Sequence, residues 1–413
     1  MCERRHANRG FGLVAAALFS LFVHAAALAA PPQVTGVRLG VHPAKTRVVV
    51  DIGSSIEFQA FTLPNPFRVV VDLSEVTWSP ELRSPPRGGL VSGMRFGLFK
   101  PGTSRIVLDT GGPVRIEKSF LIPADSATRT FRLVLDLERT TEQAFMLGYN
   151  APKPEVPKLT APPPAAAAPA PRASVPKKQR KDDKPLIMID PGHGGVDPGA
   201  MSRSGAWEKH IVLEFARELR RQLLSSGRFD VQMTRDTDVF VRLRDRIAIA
   251  RRAGADLFIS VHADSIGNRS VRGTSVYTLS ETASDKEADA LANKENKADL
   301  IAGVDLNERS DDVVNILIDL AQRETMNESA IFAKELVSEL ARHRQMLRNT
   351  HRFAGFAVLK APDVPSVLVE LGYLSNLQDE RMLRTPAERR RMVASFVDAV
   401  QAYFARQQAF NRP

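Results

Sequence analysis

Apolar and polar residues alternate in short runs between residues 34 and 138, and glycine or proline separates the runs. Val, Ile, Phe and Thr dominate these runs, and a period of two with this composition is typical of half-buried β-strands. The same three runs occur twice in the same order: VTGVRLG, TRVVVDIG and FRVVVDL return as VSGMRFG, SRIVLDTG and FRLVLDL. Such self-similarity indicates one supersecondary unit used twice. We therefore predict an all-β duplicated sandwich over residues 34–140.

After residue 186 the pattern changes to short apolar runs that alternate with segments of helical period. Buried strands are predicted over residues 186–189, 229–233, 256–262, 273–279, 356–359 and 366–371. Helices are predicted over residues 209–224, 243–253 and 386–404, where apolar residues recur every three or four positions. Strands that alternate with helices are typical of an α/β fold. For residues 186–406 we predict a mixed sheet flanked by helices.

Two other segments lack the composition of a packed domain. Residues 151–185 are rich in proline and alanine and then basic, which predicts an extended, semi-rigid linker. Residues 1–29 begin with arginines, continue with an apolar run and end in Ala27-Leu28-Ala29, which is the pattern of a secretory signal peptide. An uncleaved membrane anchor is the less favoured alternative. We expect no stable membrane insertion once the signal is removed, and the single cysteine, Cys2, would leave with it.

The formal net charge of +10 favours anionic partners of some kind. No zinc finger, helix-turn-helix or aromatic-rich RNA-binding signature is present, so nucleic acid is not the first choice. An exported protein that meets an anionic cell-wall polymer fits this charge. Basic residues of the repeats, which we expect to be exposed, favour a binding role for the β-sandwich over a purely structural one; they are Arg38, Arg47, Arg95, Lys100 and Arg105.

Four polar residues stand at the ends of predicted elements of the α/β domain. His193 follows the first strand in a glycine-rich turn, Glu208 precedes the first helix, and His262 and Glu370 each end a strand. Such ends converge on one rim of an open sheet. Two histidines and one carboxylate are the composition of a catalytic zinc site, and a second carboxylate can act as general base and acid. The candidate ligands are His193, Glu208 and His262, and Glu370 is the candidate catalytic residue.

Three aspartates are candidates to orient these ligands from behind. Asp190 or Asp197 would hold His193, and Asp264 would hold His262.

Each candidate also has an ordinary structural interpretation, and for His193 it is a lone structural histidine in a glycine-rich turn. Glu208 could be a first-turn carboxylate favoured by the helix dipole, and His262 a core histidine bonded to backbone. Glu370 could be paired with Arg235 or Arg246. A catalytic site is favoured, because it is less expected that all of these structural interpretations hold at once in one domain. Cofactor-free nucleophilic catalysis fares worse, because the chain without its signal has no cysteine and no G-x-S-x-G motif.

The same stretches resemble the zinc-dependent N-acetylmuramoyl-L-alanine amidases of the amidase-3 family. The matching segments are IDPGHGGVDPGA, GAWEKHIVLEFA, FISVHADS and PSVLVELGYLSN. The resemblance implies zinc-dependent hydrolysis of the amide between N-acetylmuramic acid and the L-alanine of the peptidoglycan stem peptide. It also implies that the ligands are His193, Glu208 and His262 and that the catalytic glutamate is Glu370. One departure is Asp264, which stands where many relatives carry asparagine.

The duplicated β region resembles the AMIN domain, the wall-targeting module of exported amidases. This resemblance implies that the region brings the enzyme to peptidoglycan, often at the division site. An enzyme of this kind is expected in the periplasm, at the septum, where it would split the wall between daughter cells. We expect a monomer.

An insertion over about residues 283–325 separates two predicted strands by more than a crossover needs. Residues 285–300 and 311–342 are predicted to be helical, and one interpretation is a pair of surface helices that cover the sheet. Division amidases with an AMIN domain carry an inhibitory helix across the zinc cleft here, which a partner with a LytM-type domain removes, and KENKADLIAGVDL resembles that element. On this resemblance Glu295 is the first candidate to cap the zinc and Glu308 the second. The candidate partner-docking residues are Val313, Val314, Ile316, Leu317 and Leu320.

Two rival functions remain at this point. One is a zinc carboxypeptidase-like enzyme that acts on free peptides. The other is a catalytically silent wall-binding protein that uses the amidase fold as a platform.

Overall fold

The structure, a computed structural model, describes residues 30–83, 85–125, 128–150, 184–305 and 317–410. The predicted signal peptide, nearly all of the predicted linker, Glu308, Val313, Val314 and Ile316 lie outside the described residues, as do the side chains of Leu317 and Leu320. Within the described ranges, no helix combines the length and the apolar composition that crossing a membrane requires.

The N-terminal region is a sandwich of two antiparallel sheets. Its strands are β1 (Gln33–Val41), β2 (Lys45–Ile52), β3 (Phe58–Leu63), β4 (Arg68–Ser74), β5 (Thr77–Trp78), β6 (Val91–Lys100), β7 (Thr103–Thr110), β8 (Val114–Ile122) and β9 (Phe131–Arg139). A 3-10 turn (Pro80–Arg83) lies between β5 and β6, and helix α1 (Glu142–Asn150) follows β9. The first sheet has the order β5-β1-β2-β9-β8 and the second sheet the order β3-β4-β7-β6.

The two repeats exchange strands between the sheets. In the first sheet, β2 of the first repeat pairs with β9 of the second repeat, and in the second sheet, β7 of the second repeat pairs with β4 of the first. Alternate residues of the central strands point between the sheets, so that side chains such as Val48, Val50, Ile106 and Leu108 form one apolar core. The predicted duplicated β-sandwich is therefore confirmed.

The C-terminal region has one mixed sheet. Its strands are β10 (Leu186–Pro191), β11 (Asp230–Met233), β12 (Leu257–His262), β13 (Thr274–Leu279), β14 (Met346–Ala354) and β15 (Ser366–Glu370), in the order β11-β10-β12-β15-β13-β14. Strands β10, β11, β12 and β15 are parallel, and β13 runs antiparallel to β15. The predicted α/β fold with a mixed sheet is confirmed.

Helices cover both faces of this sheet. They are α2 (Glu208–Ser225), α3 (Leu243–Ala253), α4 (Lys286–Glu295), α5 (Ala298–Ile301), α6 (Leu317–Ala341), α7 (Leu377–Arg384) and α8 (Pro386–Phe410). Phe215 of α2, Phe332 of α6 and Phe396 of α8 share one core with the sheet, and α4 packs Leu291 into a second core with Tyr277 and Phe356. The central strands are buried on both faces, which is why they read as continuous apolar runs.

Two sequence predictions need correction, and one strand was not predicted. Residues 356–359 do not form a strand: Ala357–Leu359 is a 3-10 turn, and the edge strand of this part of the sheet is β14. The sequence of β14, MLRNTHRFA, is too polar for the pattern of a buried strand because the strand lies at the sheet edge. The predicted helix from Asp285 to Leu300 is divided into α4 and α5, with a break at residues 296–297.

Candidate active site

His193 lies in a tight loop that directly follows β10. Its backbone has a φ of 59°, a left-handed conformation that is uncommon for a residue with a side chain. Two glycines leave no room for larger residues: a Cβ atom on Gly192 would lie 2.3 Å from the His262 ring, and one on Gly199 would lie 2.6 Å from the His193 ring. The loop therefore brings backbone directly against both imidazoles.

Glu208 begins helix α2 and is fully buried. Its two carboxylate oxygens accept hydrogen bonds from the backbone N–H groups of Ala200 and Ala263, each at 2.8 Å. The same two oxygens lie 3.1 Å from Nε2 of His193 and 3.3 Å from Nδ1 of His262. The backbone thus aims the carboxylate at both histidines, which goes beyond the role of an ordinary first-turn glutamate.

His262 and Glu370 end neighbouring strands. They are directly paired in the parallel ladder between β12 and β15, so their side chains leave the same rim of the sheet. Glu370 is fully buried, and its Oε2 accepts a hydrogen bond of 2.9 Å from the backbone N–H of Asp264. The alternative pairing of Glu370 with Arg235 or Arg246 is wrong, because Arg235 donates to backbone carbonyls and Arg246 bonds Asp190.

Glu295, the last residue of α4, enters the same site from the insertion. Its Oε2 lies 3.4 Å from Nε2 of His193 and 3.3 Å from Nδ1 of His262, and the residue is buried. His193, His262 and Glu295 form a cluster whose possible ligand atoms all lie within 4.8 Å of one another. Two carboxylates, Glu208 and Glu295, therefore flank the same pair of ring nitrogens.

Burial and charge oppose one another at these groups. Burial alone would lower the pKa of His193, but the carboxylates of Glu208, Asp197 and Glu295 hold that pKa well above its ordinary value. Burial alone would raise the pKa of Glu208, but the two histidines hold it well below its usual range. Burial raises the pKa of Glu370 well above its usual value, and the charges of Asp264 and Glu208 raise it further.

Several buried atoms of the site have no hydrogen-bond partner, although buried polar atoms are nearly always satisfied. They are Nε2 of His193, Nδ1 of His262, Oε1 of Glu295 and Oε1 of Glu370. Two imidazole nitrogens and nearby carboxylate oxygens are the donor set that zinc takes in catalytic sites. The residues present therefore fit a zinc ion.

The residues behind the site differ in part from the prediction. Oδ2 of Asp197 lies 2.9 Å from Nδ1 of His193, so this aspartate can fix the ring with Nε2 facing the site. Asp190 does not contact His193: its carboxylate accepts from Thr234, Ser260 and Arg246 beneath the loop.

Asp264 does not orient His262 either, because its carboxylate forms an ion pair with Lys294 of α4. Sequence reasoning missed this pair. It named Arg246 only as a possible partner of Glu370 and missed its role at the loop: the Arg246 guanidinium donates to the backbone oxygen of His193 at 2.7 Å and so stabilises the loop. The Lys294–Asp264 pair could have been suspected from the sequence, because Lys294 directly precedes Glu295.

The comparisons with known proteins identify a family for the chain. A family profile described as N-acetylmuramoyl-L-alanine amidase matches residues 187–402, and a profile described as AMIN domain matches residues 36–125. The chain is 36% identical to the N-acetylmuramoyl-L-alanine amidase AmiC of Escherichia coli, over 98% of this chain and 96% of that protein. It is 35% identical to AmiC of Neisseria meningitidis serogroup B, over 94% of this chain and 95% of that protein.

Among solved structures, the N-acetylmuramoyl-L-alanine amidase AmiC2 of Nostoc punctiforme is 25% identical, covers 54% of this chain and 97% of its own, and has a TM-score of 0.39. The profile match over the α/β domain and the full-length likeness to AmiC show the family. The chain belongs to the amidase-3 family of N-acetylmuramoyl-L-alanine amidases and carries an N-terminal AMIN domain.

Proposed function

We propose that this chain is a zinc-dependent N-acetylmuramoyl-L-alanine amidase that hydrolyses the amide between N-acetylmuramic acid and L-alanine in peptidoglycan. The observation that carries the proposal is the convergence of His193, Glu208 and His262 around buried, unsatisfied nitrogens, with Glu370 on the adjacent strand. Family membership supplies the substrate class.

His193, Glu208 and His262 would hold the zinc, and Asp197 would keep the His193 ring in the tautomer that leaves Nε2 free. A zinc ion bound here supplies Lewis-acid polarisation of the scissile carbonyl and a water of lowered pKa. Glu370 takes the proton of the attacking water and passes it to the leaving nitrogen of L-alanine. The raised pKa of Glu370 suits a group that must both accept and release that proton.

Glu295 would act as the gate of this site. It occupies the space between the two histidines where a substrate carbonyl would have to enter. Ion pairing of Lys294 with Asp264 and packing of Leu291 into the core hold α4 in this position. The resting enzyme would therefore be inhibited, and a LytM-domain activator would have to move α4 away.

The setting we propose is the bacterial periplasm, at the septum, where the monomeric enzyme would split the wall between daughter cells. The AMIN domain would bring it to peptidoglycan. The net charge of +10 supports an anionic polymer as the partner.

The test is hydrolysis of purified sacculi by the chain without its predicted signal, with zinc content measured in parallel. We expect weak release of stem peptides by the wild-type chain and strong release by Glu295→Gln. The matched control is Glu287→Gln, which changes an exposed carboxylate on the same helix and should stay weak. Adding Glu370→Ala to Glu295→Gln should abolish release.

Each rival function has its own outcome in this test. Bound zinc with cleavage of free peptides but not of sacculi would replace the amidase with a carboxypeptidase-like enzyme. Absence of zinc together with binding to sacculi would leave a wall-binding platform. Equal release by the wild-type chain and Glu295→Gln would keep the amidase and remove the gate.

A further inference from the structure

The segment that follows the gate lies between the amidase domain and the AMIN domain. We call residues 298–305 the connector; it begins three residues after Glu295 and contains helix α5. On the amidase side, Asp299 accepts a hydrogen bond of 3.1 Å from the backbone N–H of Leu243. The backbone carbonyls of residues 300–303 lie at and just beyond the C-terminal end of α5, and that of Leu300 also accepts from the backbone N–H of Gly303 at 3.0 Å.

Arginines of the second AMIN sheet donate hydrogen bonds to these four carbonyls. The bonds run from Arg68 Nη1 to Leu300 O, from Arg95 Nε to Ile301 O at 2.8 Å, and from Arg105 Nη1 to Gly303 O at 2.7 Å and Ala302 O at 3.2 Å. Side chains from three neighbouring strands thus form hydrogen bonds with four consecutive residues of the connector.

The contact is also apolar and closely fitted. Ala302 and Val304 of the connector share a core with Leu63, Val70 and Val107, which lie on the second sheet. The guanidinium of Arg105 lies 3.5 Å from the ring centre of Phe99 and is fixed by Asp72 at 2.6 Å, so it is already oriented toward the connector.

The edge of the same sheet touches the loop that carries His193. The backbone N–H of Phe240 donates to Leu98 O at 3.2 Å, and the chain at Gly97 passes so close to Gly195 that a Cβ atom on Gly97 would lie 2.3 Å from the Gly195 carbonyl. The second sheet therefore contacts both the connector and the catalytic loop.

We infer that the second sheet of the AMIN domain keeps Glu295 in the active site, because the sheet binds the connector that follows Glu295. We call this arrangement the latch. Because the connector begins three residues after Glu295, an outward movement of α4 that carries the connector with it would break the bonds to Arg68, Arg95 and Arg105. Any ligand that engages these three arginines is mutually exclusive with the latched state, so the AMIN domain and the active site are coupled. The inference rests on the proposed gating role of Glu295.

In the test, arginines of the first sheet are the controls for the equivalent arginines of the second sheet. Arg95→Ala and Arg105→Ala remove bonds to the connector. Arg38→Ala and Arg47→Ala remove the equivalent arginines of the first sheet, each of which has its own aspartate partner, as Arg95 and Arg105 do. Hydrogen exchange is followed in the full chain for the amides of residues 286–304, and sacculus hydrolysis is measured for the second-sheet variants beside Glu295→Gln.

We expect Arg95→Ala and Arg105→Ala to accelerate exchange in residues 286–304 about tenfold or more, since each loses a hydrogen bond from a charged group. Both should also raise hydrolysis toward the level of Glu295→Gln. The first-sheet variants should leave the exchange of these residues unchanged.

Three results would overturn the latch: unchanged exchange in both second-sheet variants, equal acceleration in all four variants, or accelerated exchange with no gain in hydrolysis while Glu295→Gln is active. If Glu295→Gln is itself inactive, the gating function fails instead. The exchange comparison then still decides whether the second sheet holds the connector.

Discussion

The two sheets of the AMIN domain carry the same arginines in different surroundings. Arg47 in the first sheet and Arg105 in the second occupy equivalent repeat positions, and each makes a paired contact with an aspartate of the neighbouring strand. The Arg47 side chain is 42% exposed, whereas the Arg105 side chain is 7% exposed beneath the connector. Arg38 and Arg95 differ in the same direction, with 63% and 19% exposed.

The repeated sequence therefore determines that each sheet forms Arg–Asp pairs, but it does not determine which of these pairs contact another part of the chain. An exposed ion pair contributes about 0–1 kcal/mol, because water solvates both partners. A covered guanidinium that also donates to main-chain carbonyls contributes more, since each bond from a charged group is worth about 1.5–3 kcal/mol. One copy of the surface is thus bound within the chain, and the other is left with the same chemistry for the proposed wall ligand.

The largest effect is expected from a charge placed under the connector. Val107 is fully buried against it, and Val49 is the equivalent, half-buried residue of the first sheet. Val107→Asp should undock the second sheet by about 3 kcal/mol or more, because a buried carboxylate would have no partner. Val49→Asp should have little effect. Hydrogen exchange of residues 298–305 measures the effect of each variant on docking. Equal exchange in the two variants would show that the two sheets do not differ in their contact with the connector.

A single methyl group should give the next largest effect. Gly97→Ala would drive a Cβ atom into the backbone of Gly195, whereas a Cβ atom on the equivalent Gly40 has its nearest neighbour at 3.6 Å. We expect Gly97→Ala to weaken docking by about 1–3 kcal/mol through overpacking and Gly40→Ala to be tolerated. Thermal unfolding and exchange at residues 298–305 check this. Tolerance of alanine at both positions would mean that the AMIN domain does not rest on the catalytic loop.

A smaller difference should separate the two ion pairs themselves. A double-mutant cycle on Arg105 and Asp72 should give a coupling of about 1.5–3 kcal/mol, and one on Arg38 and Asp51, the more exposed pair of the first sheet, about 0–1 kcal/mol. The measured quantity is the free energy of urea unfolding of the AMIN domain. Equal couplings would show that covering by the connector adds nothing to the pair in the second sheet.

Much of this arrangement follows from the sequence for a clear reason. The repeat is visible because each half must form the same strands, and His193, His262 and Glu370 could be grouped because parallel strands end at one rim. Glu295 was chosen on resemblance alone, and the structure brings it against both histidines.

The rest depends on contacts that no local pattern records. The repeats do not show which sheet faces the connector, because equivalent arginines have the same sequence neighbours. The edge strand β14 was missed because its polar residues face solvent rather than a core. Asp264 was assigned to His262 because they are close in sequence, but its partner, Lys294, comes from the insertion.

The smallest effect concerns the N-terminal end of α4, which the AMIN sheets do not reach. Asp285 caps this helix by accepting from the backbone N–H of Ala288 at 2.9 Å, and it pairs with Arg352. Asp285→Ala should cost about 1 kcal/mol of helix stability. The Asp285→Ala variant should therefore accelerate exchange in residues 286–292 more than in the connector, because the second sheet holds the connector independently of Asp285.

The pH dependence of this cap has a definite sign. Burial would raise the pKa of Asp285, but its bonds to Arg352 and to the Ala288 N–H lower it to about 2, against an ordinary value of 3.8. The stabilisation is therefore fully present above about pH 4 and is lost as the pH falls through about 2. Exchange in residues 286–292, corrected for its intrinsic pH dependence, should not change between pH 5 and 8 through this group. Acceleration across that window in the wild-type chain but not in Asp285→Ala would contradict the assignment, and equal acceleration of the connector in Asp285→Ala would mean that the second sheet is not an independent anchor.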